Sequence, residues 1–145
     1  MSSFSWKHGF ALAALAMLTP WAAAAGSTLE VVVAPVRSVQ GGVRLSLYRD
    51  AATFRKEAQA LRVIELPAQR GELHFRIEDL APGRYAVMVY HDENANQKLD
   101  LRFGMFPVEG YGLSQNPKVM GPPKFDDSAF ELGAEGGMQQ IEMRY

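Results

Sequence analysis

The sequence predicts an all-β domain: an antiparallel Greek-key β-sandwich of about seven strands, with one short helix and one long ordered loop. Two observations carry that expectation. Short runs rich in β-branched residues alternate apolar with polar side chains, and clusters of Gly and Pro separate them at turn spacing. A third observation limits the helix content, because a single segment repeats its apolar residues at helical spacing.

Residues 1–25 read as a targeting segment. Lys7 precedes a short apolar run, Phe10 to Leu18, and small residues before Gly26 offer a cleavage point near Ala25. The run is about half the ~20 residues needed to cross a bilayer, so no membrane span is expected once the segment is cleaved. With no Cys in the chain, a lipid anchor on a cysteine at that point is excluded. Export to the periplasm or the medium is the expectation, with 26–145 as one sandwich domain.

Thr28 to Val33 (TLEVVV) is the first expected strand, and after Gly41-Gly42 the second, Val43 to Tyr48, alternates Val43, Leu45 and Leu47 with Arg44, Ser46 and Tyr48. Ala51 to Leu61 carries Phe54, Ala58 and Leu61 at helical spacing and predicts the short helix. Arg62 to Leu66 adds a strand. Leu73, Phe75 and Ile77 then alternate with His74, Arg76 and Glu78, and a turn at Ala81-Pro82-Gly83 leads into Arg84 to Tyr90, apolar on both faces. Ile141, Met143 and Tyr145 alternate in a last strand tied into a sheet.

Leu101 to Ala129 breaks this rhythm. Its glycines and prolines leave no convincing alternation, and a loop of that length in a small domain is usually functional or disordered. Phe103, Met105, Phe106, Tyr111, Leu113, Met120 and Phe125 give it apolar area to bury, so an ordered loop over one end of the sandwich is expected.

Charge excludes some functions. Lys and Arg total 15 against 16 Asp and Glu, interspersed, so no basic patch suggests nucleic acid. Without disulfides, stability comes from the core or from a bound ion.

The stretch His91 to Asp100, HDENANQKLD, raises the ion directly. Asp92, Asn94, Asn96, the backbone carbonyl of Lys98, and Asp100 occupy positions 1, 3, 5, 7 and 9 of a calcium loop. Oxygen donors with a single His favour calcium over zinc or copper. An EF-hand is incomplete here, because Gln97 stands where Gly is wanted and Phe103 where the closing Glu belongs. Glu109, Asp126 or Asp127 could close the cage from the long loop. The competing account is a plain turn, since Asp and Asn bond their own backbone readily. Two carboxylates beside Lys98 would give a weak site, with Kd of about 10⁻⁴ to 10⁻³ M.

No residue is assigned as catalytic. Ser114 lies in Gly112-Leu113-Ser114-Gln115-Asn116, which lacks the last Gly of a nucleophile elbow. His91 beside Asp92 lacks a partner that sequence can position. Paired carboxylates at Asp92-Glu93 and Asp126-Asp127 point to opposite faces if extended. His91, Phe103, Phe106, Tyr111, Ser114, Asn116 and Phe125 define the candidate binding surface.

The segment Asp79 to Asp100, DLAPGRYAVMVYHDENANQKLD, followed by FPVEGYGLSQNP and GPPKFDDSAF, resembles an exported bacterial family catalogued as domain of unknown function 2141. Gln97 departs from the Gly that members commonly carry. The resemblance implies a transthyretin-like or carboxypeptidase-regulatory-like β-sandwich and no established activity. Three functional expectations follow: a non-enzymatic exported domain that binds calcium and presents the 101–129 loop to an unknown ligand or partner; a small hydrolase using His91 with a nearby carboxylate; or a carrier of a small apolar ligand.

Overall fold

The computed structural model describes residues 25–145. The expected targeting segment lies outside the described residues, except for its last residue. Strands β1 (Ser27–Val36), β4 (Gly71–Leu80) and β10 (Gly137–Glu142) form one sheet in the order β10-β1-β4. The second sheet runs β3-β2-β5-β8, built from β2 (Gly42–Tyr48), β3 (Arg62–Pro67), β5 (Gly83–Asp92) and β8 (Tyr111–Leu113). Strand β9 (Phe130–Leu132) joins the other end of β5. Pairing is antiparallel throughout, save for β10, which returns parallel to β1.

The period-two pattern decides which faces meet. Leu29, Val31 and Val33 of β1, Leu73, Phe75 and Ile77 of β4, and Ile141 of β10 pack against Val43, Leu45 and Leu47 of β2 and Tyr85, Val87 and Val89 of β5, all buried. Each such side chain contributes about 1.5–3 kcal/mol by leaving water. A one-residue slip of any strand would turn this whole set outward, which is why the register is firm. At the mouth of β5, Tyr85 donates its hydroxyl to the Ala81 carbonyl and fixes the Ala-Pro-Gly turn.

The last strand ends at Glu142 and leaves Met143 and Tyr145 beyond it, and two longer segments differ more from the sequence expectation. Ala51 to Leu61 is a turn followed by a single 3₁₀ turn, Glu57–Gln59, rather than a regular helix. Asp50 Oδ1 accepts from Thr53 N at 3.1 Å and Arg55 sits at φ 66°, so helical hydrogen bonding stops before it can propagate. Phe54 still buries its ring, as the spacing suggested. The other difference lies in the long segment 101–129, which is ordered but not a simple loop. It contains the hairpin β6 (Leu101–Arg102) and β7 (Phe106–Pro107), the sheet strand β8, and a single α-helical turn, α1 (Phe125–Ser128). The prolines shorten these pieces below the length at which alternation is readable.

A second, smaller apolar cluster sits on the outer face of the β2–β5 sheet. Tyr48, Phe54, Ala86, Leu113 and Phe125 form it, with Phe54 edge-on to both Tyr48 and Phe125. It anchors the 49–61 and 119–129 segments over that face and leaves a groove beside it.

Candidate functional site

The groove is built from alternate residues of β2 and β5. Arg44, Ser46 and Tyr48 point outward from β2, and the register sets Arg44 opposite Tyr90, Ser46 opposite Met88 and Tyr48 opposite Ala86. On the far side, Met88 faces Leu113 and Tyr90 faces Tyr111 of β8. The floor therefore grades from polar at Ser46, Tyr90 and Tyr111 to apolar at Met88 and Leu113. Residues 97–107 and 119–123 roof it, with Met105, Phe106, Leu101, Val119 and Pro122 turned to the space. The cavity measures about 760 Å³, within the range of small-ligand pockets.

One wall carries a charge cluster. Arg44 Nη2 is 2.6 Å from Glu57 Oε1, its other arm bonds Glu65, and Ser46 Oγ donates to Glu57 at 3.4 Å. Arg44 Nε is buried with no partner. Glu57, foremost by hydrogen bonding, holds the Arg44 guanidinium above its ordinary range, although burial opposes it. Tyr90 is pushed well above the usual tyrosine value, first by burial and then by the charge of Glu57. Its hydroxyl is a neutral donor beside the groove.

The HDENANQKLD stretch forms a compact loop at the end of β5. Asp92 is fully buried and its two carboxylate oxygens accept from Asn96 N at 3.0 Å and Gln97 N at 2.7 Å. Asn94 Oδ1 accepts from Asn96 N, and Asn96 Oδ1 from Lys98 N. Both amides then donate to Asp100, Asn94 at 2.6 Å and Asn96 at 2.9 Å. Gln97 adopts φ 61°, a conformation that Gly would take without strain. Gly41 packs so closely on the Asp92 carbonyl that any Cβ there would collide with it. This approach helps to seal Asp92 from water.

Of the three carboxylates considered as a closing group, Glu109 reaches the loop. Its oxygens accept from Glu93 N at 3.1 Å and Asp100 N at 3.2 Å. Asp126 instead pairs with Arg84 at 2.7 Å, and Asp127 accepts from Lys124 N at the start of α1. Among the described residues, no three His, Cys, Asp or Glu side chains gather as a metal-holding group. The Lys98 carbonyl is not among the hydrogen-bonded groups of the loop.

The remaining sequence candidates divide. Phe106 and Tyr111 line the groove, while Phe125 is buried in the second cluster. Phe103 stands at the β6–β7 turn, 83% exposed with φ 55°. Ser114 is buried, with Oγ accepting from Val87 N and donating to the Ser128 carbonyl. Asn116 straps its loop to β10, donating to Gln140 O at 2.9 Å and accepting from Glu142 N at 2.8 Å. His91 points into the protein, away from the groove. Sequence reasoning missed Ser46, Tyr48, Glu57, Met88, Tyr90 and Leu113 as lining residues. The signal was present in β5, whose apolar character on both faces requires a cover on the outer one.

These features define an all-β domain with a roofed groove on its outer sheet face. The chain belongs to the family described as an uncharacterised protein conserved in bacteria, DUF2141, whose model matches residues 31–141. No curated protein and no solved structure gives a match to it.

Proposed function

We propose that this chain is a non-enzymatic binding domain that holds a small, mainly apolar ligand in the groove over β2, β5 and β8. The observation that carries the reading is the 760 Å³ cavity floored by Met88 and Leu113 and roofed by Leu101, Met105 and Phe106. Apolar side chains facing an open space of this size gain by covering a ligand. The hydrolase alternative has less support, because both ring nitrogens of fully buried His91 are engaged, by Tyr145 and Gln40. The environment-sensitive dye N-phenyl-1-naphthylamine tests the groove. The expected result is saturable fluorescence enhancement that Met88→Trp abolishes while leaving the thermal melt intact. Equal enhancement in both proteins would refute the reading.

Calcium in the 92–100 loop is a second reading, supported by the way Asp92, Asn94, Asn96 and Asp100 are linked side chain to side chain or through one backbone N–H. An ion would displace the two amide donors from Asp100 and order the roof that follows. At about 1 mM calcium, a weak site adds only ~0.4 to 1.4 kcal/mol. Calorimetric titration, with melts of wild type and Asp100→Ala in calcium and in chelator, is the test. A wild-type melt indifferent to calcium removes this reading.

The place of action is proposed to be outside the cytoplasm, on the basis of the apolar run Phe10 to Leu18 and its small-residue flank. Cell fractionation of the full chain and of a chain beginning at Gly26 tests it. Cytoplasmic retention of both would count against export.

A further inference from the structure

The charges around the groove point to what its ligand carries. Three ionisable residues other than tyrosine line it: Arg55, Glu57 and Lys98. Glu57 is already engaged by Arg44 at 2.6 Å. Arg55 and Lys98 are exposed and, among the described residues, neither forms an ion pair. Because Arg44 is shared with Glu65, Glu57 counts as a full negative charge, and the three lining groups still sum to one positive charge on a chain whose formal net charge is −1. The segments that carry the roof reinforce it from outside the lining: Arg102, Lys118 and Lys124 are exposed within 98–108 and 117–124, where Asp100 is the sole acid and is held by two asparagine amides.

Polar floor groups complete the pattern. Tyr90 is 5% exposed and lines the same floor, with its hydroxyl near enough to Glu57 for that carboxylate to act on its proton.

We propose that the groove selects an anionic amphiphile, with its apolar chain on Met88, Leu113 and Phe106 and its carboxylate head drawn to Arg55 and Lys98. This deepens, and rests on, the ligand-binding reading. A cationic head would meet two like charges, and a neutral head would forgo both attractions. The chain length is set by the apolar floor, and the sign of the head by these two residues.

The experiment displaces N-phenyl-1-naphthylamine from the full mature chain with decanoate, decanol and decylamine, near neutral pH and at low salt. Decanoate is expected to displace the dye at a concentration about tenfold below that of decylamine, with the gap narrowing as salt is added. In Arg55→Gln/Lys98→Gln the three should converge while decanol keeps its wild-type value. Arg55→Glu/Lys98→Glu should favour decylamine. Equal or better displacement by decylamine in wild type overturns the inference, as does an unchanged order in the double Gln variant. If the dye binds and Met88→Trp blocks it but the heads rank equally, the charge inference alone fails. If the dye is not bound at all, the groove reading fails and this inference falls with it.

Discussion

The imidazole of His91 is clamped between Tyr145 and Gln40: Nδ1 lies 2.9 Å from the Tyr145 hydroxyl and Nε2 2.8 Å from the Gln40 carbonyl. The carbonyl can only accept, so Nε2 carries a hydrogen, and in the neutral imidazole Nδ1 then accepts from Tyr145. That hydroxyl in turn accepts from Arg37 N at 3.0 Å, and the Arg37 guanidinium lies over the tyrosine ring. One histidine thus joins the β1–β2 turn, the end of β5 and the C-terminal segment. Tyr145→Phe leaves a buried acceptor unpaired and should cost about 1–3 kcal/mol in urea unfolding. A loss below about 0.5 kcal/mol would show that the clamp is not structural.

Gly110 packs against the same tyrosine, and a Cβ there would lie 2.3 Å from a ring carbon. Gly110→Ala must displace Tyr145 and so break the His91 bond as well. The expected loss is about 1–3 kcal/mol, and it should be much smaller in the Tyr145→Ala background if the two act through one contact, which a double-mutant cycle measures.

Asp92 closes its loop by accepting two backbone N–H groups while fully buried. Asp92→Ala leaves Gln97 N without its acceptor and Asn96 N with Asn94 Oδ1 alone, and should cost about 1–3 kcal/mol, read from thermal or urea unfolding. Gln97→Gly should do the opposite, stabilising by about 0.5–1 kcal/mol because φ 61° strains a side chain but not glycine.

Tyr90 ties stability to pH. Its pKa in the folded chain is raised above the ordinary 10.0, so on passing pH 10 the unfolded chain loses this proton first. The unfolded state then binds fewer protons than the native one, and stability falls as pH rises. Below that window this group contributes no slope. Tyr90→Phe should lose less stability than wild type between pH 9 and 11 in urea titrations, an interval set on either side of the 10.0 value; identical slopes would contradict the assignment.

Phe103 holds φ 55° at the β6–β7 turn, beside Gly104 at φ 68°. Asn suits that first position better than a bulky ring, so Phe103→Asn should stabilise by about 0.5–1 kcal/mol. Dye affinity should be unchanged, since Phe103 does not line the groove.

Most of the sandwich was legible because its strands alternate over five or more residues. Leu73, Phe75 and Ile77 announce β4, and Val43, Leu45 and Leu47 announce β2, without any tertiary knowledge. The segment Ala51 to Leu61 misled because helical spacing of Phe54 and Leu61 does not reveal that Arg55 turns left-handed. Strands β6 to β9 were hidden by their length, two or three residues each. The candidate site was half legible. The 92–100 loop stood out by composition, whereas Glu57 and Tyr90 lie far apart in sequence and meet only when the 49–61 segment folds over β2 and β5.

By itself the sequence determined the inward faces, the turn positions and the polar loop after β5, since each depends on neighbours within a few residues. Only the tertiary structure decided that His91 is a buried clamp, that Glu109 rather than Asp126 or Asp127 reaches the loop, and that a groove lies on the outer sheet face. Those outcomes depend on which distant segments cover a strand, and local pattern carries no information about the identity of the cover.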